Sequence, residues 1–167
     1  EIIVNPGSLE IVTKMTFKNH GCCGHAFAAI DGALALQRAH GFTPDQIARI
    51  AIGGYRATLD VTGRKQVATA FEGRFSTPFT VATALVHGNV RLAAFTPARL
   101  ADPATQALMA KIDVALDPVC DAAFPGARSA MVEITLTDNR TLRHHQTTRH
   151  GDPDDPLSDA ELTEKFF

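Results

Sequence analysis

Two rhythms of apolar and polar side chains run along this chain. In residues 9–17, Leu9, Ile11, Met15 and Phe17 alternate with Glu10, Lys14 and Thr16, which predicts a strand with one buried face; Val12 and Thr13 fit by their β-branching. The alternation breaks at Gly21-Cys22-Cys23-Gly24. Beyond it Phe27, Ile30 and Leu34 recur at helical spacing through an alanine-rich stretch, with Gly41 as the stop and Arg38 and His40 opposing the negative end of the helix dipole. Thr43-Pro44-Asp45 opens a short helical turn with threonine as cap and proline at the first position. A second strand is predicted over residues 49–58 from Ile50 and Ile52, with Gly53-Gly54 marking a bulge or a close backbone approach.

Residues 59–74 mix both periods between glycine turns and read as an irregular connection. Ser76 then caps a helix with Pro78 just inside it, Phe79, Ala82 and Val86 on one face and Gly88 at its end. Thr96-Pro97 and Asp102-Pro103 repeat the pairing of cap and proline for two more short helices. Ile112, Val114 and Leu116 alternate as a strand, and residues 131–137 and 141–148 form a hairpin turning at Asp138-Asn139. The acid- and proline-rich residues 151–156 read as an exposed connection, followed by a capping box from Ser158 to Glu161. Residues 1–8, with Asn5-Pro6-Gly7, form a lead-in. These elements imply an α+β class with a mainly antiparallel sheet covered by helices, in a single domain over residues 1–167.

Composition narrows the partners. With 18 acidic and 16 basic side chains the charge is nearly balanced, so neither nucleic acid nor an anionic membrane surface is expected as a partner. Hydrophobic residues make up 45% of 167, enough for a core of its own, and no apolar run has transmembrane length. Three cysteines, two of them adjacent, do not make a disulfide framework and point to a reduced, cytoplasmic setting. The start at Glu1 rather than Met suggests an excised or processed piece.

Chemistry is expected at the junction of the first strand and first helix. Gly21 and Gly24 let the backbone turn and approach a ligand, the first helical N–H groups are unpaired, and Lys18 adds a mobile ammonium, a combination suited to a carboxylate. Taken by position alone, Lys18 is a solvated surface lysine. His20, Cys22, Cys23 and His25 lack a second pair of ligands at zinc spacing, and adjacent cysteines in extended chain point opposite ways, so no metal site is expected. Cys22 reads as a small buried apolar residue. His144 and His145 fall on opposite faces of the last strand, one toward the core and one toward solvent.

Lys18, Cys23, Ile30 and Asp31 fall on the spacing of a Lys-x-Tyr-Pro-x-Cys-x-x-x-His-x-x-Ile-Asp motif, and in this the chain resembles the MmgE/PrpD family. Phe75-Ser76-Thr77-Pro78-Phe79-Thr80-Val81-Ala82 is similar to that family's Phe-Ser-x-Pro-Tyr-x-x-Ala helix start. Gly151-Asp152-Pro153, Pro156-Leu157-Ser158 and Lys165-Phe166 resemble its C-terminal signature. The resemblance covers the family's small α+β domain and nothing of its large helical domain, which is expected as a missing partner together with a second copy in a homodimer. It implies a lyase or isomerase, 2-methylcitrate dehydratase-like, that acts on a small polycarboxylate without a cofactor. Lys18 and Cys23 would be catalytic, and Lys18, His20, Gly24, His25 and Ser76 would bind substrate.

Cys23 keeps two readings: a proton donor or acceptor tuned by the helix N-terminus and Lys18, or plain packing. Ser76 has a helix cap as its alternative role. Asp31 is expected either to orient Lys18 or to interact with the helix dipole. Phe27 and Phe79 stand where the family motifs carry His and Tyr, so two polar groups are lost. The reaction implied is proton abstraction next to a carboxylate, with the general base expected from the absent helical domain and the isolated chain expected to be inactive. The rival expectation is a non-catalytic module for anion binding or dimerisation.

Overall fold

The computed structural model describes residues 15–166, so most of the first predicted strand lies outside the described residues; Met15, Thr16 and Phe17 are not in a strand. A 3-10 turn, Gly24–Ala26, leads into α1 (Phe27–His40), which ends at Gly41 with φ 66°, the left-handed conformation that glycine adopts without a Cβ clash. The predicted turn is a 3-10 segment, Pro44–Gln46, closed by a Thr43/Gln46 capping box. β1 (Ile47–Gly54) is shorter than the predicted strand: residues from Arg56 onward form α2 (Arg56–Thr62). The β-branched Thr58, Val61 and Thr62 hide this helix in sequence, but the Thr62 hydroxyl satisfies itself on the Thr58 carbonyl at 2.7 Å, a bond available within a helix. The irregular connection contains α3 (Ala70–Arg74), started by a Thr69/Glu72 capping box.

The Ser76 cap and its helix follow prediction as α4 (Thr77–His87), as do the short helices α5 (Pro97–Leu100) and α6 (Pro103–Met109). β2 (Ile112–Leu116) is followed by an unpredicted α7 (Pro118–Ala123), whose Asp117 carboxylate caps Val119 and Cys120. β3 (Ala130–Leu136) and β4 (Thr141–Gln146) form the predicted hairpin, with Asn139 at φ 67°. α8 (Asp159–Phe166) starts at the Ser158–Glu161 box.

The sheet order is β2-β1-β3-β4, with β1/β3 and β3/β4 antiparallel and β1/β2 parallel. The sheet is thus mixed, with antiparallel pairs in the majority. Ile50, Ile52, Ile112, Val132 and Ile134 are buried along with Phe27, Ile30, Phe79 and Val81 from α1 and α4, which cover that face of the sheet. Each such side chain contributes roughly 1.5–3 kcal/mol by leaving water. Gly32 lets α1 come close to the hairpin, because a Cβ there would lie 3.0 Å from Val132 Cγ2 and 3.4 Å from His144 Cδ2. His144 is accordingly half-buried beneath α1 and His145 is exposed, the predicted division. This packing fixes the N-terminal end of α1, and with it the glycine-cysteine turn.

Candidate functional site

Residues 18–23 line a cavity of about 800 Å³, together with Arg74 at the end of α3 and Phe75 just after it, Arg91, Leu92 and Ala93 after α4, and Glu164 and Lys165 of α8. The turn is held from several sides: Gly21 N–H donates to Val90 O at 2.7 Å, and Cys23 N–H to Arg74 O at 2.9 Å. The Arg91 guanidinium donates to the Asn19 carbonyl and, at 3.1 Å, to Asn19 Oδ1. Lys165 Nζ donates to the Lys18 carbonyl, so α8 closes one side of the cavity. Arg74 lies over the Phe95 ring at 5.3 Å from its centroid, a cation–π contact that restrains its head. Four cationic side chains, Lys18, Arg74, Arg91 and Lys165, thus face one carboxylate, Glu164, around the same space. Such an excess suits an anion with more than one carboxylate.

His20 forms the inner wall. It is buried, its Nε2 lies 2.9 Å from Asp31 Oδ1, and its ring meets Phe27 edge-on at 5.1 Å. The other Asp31 oxygen accepts from the His150 backbone N–H at 2.9 Å. Asp31 therefore orients an imidazole rather than Lys18. A second cavity of about 580 Å³, of mixed charge, shares Asn19, His20, Arg91 and Glu164 with the first and is lined also by Asp31, Arg38, His150 and Glu161.

The two cysteines separate as expected for neighbours in extended chain. Cys22 is buried, and burial pushes its thiol well above its ordinary value, while Cys23 is half-buried in the cavity wall. Gly24 and His25 turn away from this cavity. A Cβ on Gly24 would approach Arg149 Nη1 to 3.0 Å, and His25 Nδ1 shares a 2.7 Å hydrogen bond with Tyr55, whose ring stacks on Phe124 at 4.5 Å. Burial, with the charges of Arg128 and Arg149 behind it, holds His25 below its ordinary pKa, and burial raises that of Tyr55. Ser76 is fully buried; its hydroxyl accepts from Phe79 N–H at 3.1 Å and donates to Arg64 O at 2.7 Å, the geometry of a helix cap.

Of the residues picked out in sequence, then, Lys18, His20 and Cys23 share one cavity, His25 and Gly24 belong to another environment, and Ser76 is occupied by the backbone. Arg74, Arg91 and Lys165 were not picked out as site residues. Only Lys165 carried a signal, its place in the C-terminal signature. Arg149 and His150 bring no free positive charge to the cavity, since each is matched by carboxylates: Arg149 by Asp152 at 2.6 and 2.9 Å, His150 by Glu161 at 2.7 Å and Asp155 at 3.2 Å. Among the described residues no three His, Cys, Asp or Glu side chains converge as metal ligands, and no helix is long and apolar enough to cross a membrane.

In comparison with known families, residues 20–167 match the family model described as the MmgE/PrpD C-terminal domain. Comparison with individually curated proteins gives no match.

Proposed function

The chain belongs to the MmgE/PrpD family, matching its C-terminal domain, and from that premise we propose that it is the small domain of a cofactor-independent lyase or isomerase acting on a small di- or tricarboxylate. The family groups dehydratase- and lyase-like enzymes. The observation that supports the substrate class is the cavity at the glycine-cysteine turn, where Lys18, Arg74, Arg91 and Lys165 outnumber Glu164. A proton next to a carboxylate is a weak acid, and removing it leaves negative charge that fixed cations stabilise more than they stabilise the substrate. Loss of hydroxide, as in a 2-methylcitrate dehydratase-like reaction, loss of carbon dioxide or reprotonation from the other face would complete the turnover. A helical domain joined to this one, and a second copy in a cytoplasmic homodimer, complete the proposed enzyme.

A second reading, a non-catalytic anion-binding or dimerisation module, is favoured by Phe27 and Phe79. Both are fully buried where the family motifs have His and Tyr, and neither offers a proton. Calorimetric titration of the chain with citrate and with tricarballylate tests the site. Binding is expected, and Lys18→Ala should weaken it roughly tenfold or more, the loss of one charge-assisted hydrogen bond of about 1.5–3 kcal/mol. Lys18→Arg should restore it in part, since a planar fork replaces a compact ammonium. Wild-type affinity in Lys18→Ala would reject the clamp. Turnover of any polycarboxylate once the chain is joined to its helical domain selects the enzyme over the module.

A further inference from the structure

We propose that His20, held by Asp31, is the general base of this site and takes the substrate proton on Nδ1. The inference rests on the polycarboxylate reading above and adds the group that the sequence did not disclose.

The geometry settles which nitrogen is available. Asp31 is buried and engaged at both oxygens, by His20 Nε2 at 2.9 Å and by the His150 N–H at 2.9 Å, so the carboxylate cannot turn away from the imidazole. A carboxylate accepts only; the His20 nitrogen facing it therefore carries a hydrogen, and in the neutral ring Nδ1 carries the lone pair. Among the described residues Nδ1 has no hydrogen-bond partner, yet the fully buried orphan polar atoms are Thr58 Oγ1 and Thr83 Oγ1. Among the described residues Nδ1 is thus left without a partner and is not among the sealed-off atoms, and His20 lines both the cationic cavity and the second cavity beside Asp31. Phe27 supports the ring edge-on in the place of the motif's histidine. The polar group lost at Phe27 is matched by an imidazole at His20, where the motif has Tyr.

In the step proposed, the bond between hydrogen and the carbon next to a carboxylate breaks and the proton bonds to Nδ1. The electron pair stays on carbon, spread into the adjacent carboxylate near the cations. The resulting imidazolium is balanced by Asp31, and returns its proton to carbon or to the leaving group.

Imidazole ¹⁵N–¹H spectra of the chain, with tricarballylate as an unconverted probe, read the tautomer and its response. Neutral His20 is expected with hydrogen on Nε2, and the probe should shift Nδ1 of His20 while leaving His25 and His145 unmoved. In the enzyme that turns over a polycarboxylate, His20→Gln should lower kcat by roughly 10²–10⁴-fold with KM little changed. Asp31→Asn should disturb the tautomer and alter the pH profile of kcat/KM. Hydrogen on Nδ1, retained kcat in His20→Gln, or probe shifts at Lys18, Arg74 and Arg91 without one at His20 would overturn the base and leave the polycarboxylate reading standing. No shift anywhere in the cavity, or no turnover in the wild type, rejects that reading and the base with it.

Discussion

His20 and His25 flank the same turn, yet they meet opposite surroundings. The reversal between Gly21 and Gly24 sends His20 to a buried carboxylate beside a cavity of cations, and His25 to a phenol, an aromatic stack and the field of Arg128 and Arg149. A histidine beside Asp31 gains an acceptor that orients its ring. One beside guanidinium groups and aromatic rings is held neutral. The cysteines repeat the contrast one residue at a time, Cys22 buried and Cys23 half-buried on the wall of one cavity. What a motif residue can do here is decided by what the other elements bring to it.

Removing the partners should separate the two histidines most. Asp31→Ala would leave a buried donor, His20 Nε2, and a half-buried one, the His150 N–H, without an acceptor, at a cost of about 2–5 kcal/mol. Tyr55→Phe removes one hydrogen bond on the His25 side and keeps the stack on Phe124, so about 1 kcal/mol is expected. Urea unfolding midpoints measure both. Equal losses would mean that Asp31 is no more a fixed point of the structure than Tyr55.

The asymmetry also explains what could be read from the sequence. Features written in neighbouring residues were legible: Gly41 ending α1, the Ser76 and Asp102 caps, the Asn139 turn and the Ser158–Glu161 box each depend on contacts within one turn of chain. The parallel pairing of β1 with β2 was not, since Ile50 meets Ile112 only after five α-helices have intervened. α7 repeated a grammar already recognised, Asp117 followed by Pro118, and was legible but passed over. At the site, Lys18, His20 and Cys23 were readable because the motif places them together. The environment of the motif was not, because Arg74, Arg91 and Lys165 arrive from three separate elements and Asp31 finds His20 by tertiary packing. The pairing of His20 with Asp31 was hidden for the same reason, eleven residues apart in sequence and 2.9 Å apart in the fold.

The cysteines should differ in reactivity with little change in stability. Iodoacetamide should consume Cys23 while Cys22 and Cys120, both buried and both with thiols pushed up chiefly by burial, remain unmodified in the folded chain. Tricarballylate should protect Cys23, because the two would share one cavity. Peptide mapping reads each outcome. Labelling of Cys22 at the rate of Cys23 would remove the distinction between core and cavity on this turn.

The smallest expected effect is in pH, and its sign differs between the two sides. Burial alone would lower the pKa of His150, but its bonds to Glu161 and Asp155 outweigh that and raise it above 6.5; Glu161 is drawn down to about 2, first by the Ser158 N–H and then by His150. A raised histidine contributes stability that is complete below 6.5 and is lost as pH climbs through its folded value. The depressed Glu161 contributes above its ordinary 4.5 and is lost as pH falls through about 2, so the attachment of α8 should be firmest between about 4.5 and 6.5. His25, held low, runs the other way: its contribution is complete above 6.5 and is lost on acidification through its folded value. The chain has one tyrosine and no tryptophan, which makes Tyr55 emission a local reporter of His25. That emission should change as pH falls below 6.5 and be flat in His25→Gln, whereas amide exchange in α8, corrected for intrinsic rates, should quicken as pH rises above 6.5 and lose this dependence in His150→Gln. If both regions loosened in the same direction, the carboxylates around His150 and the guanidinium groups behind His25 would not be setting their charge.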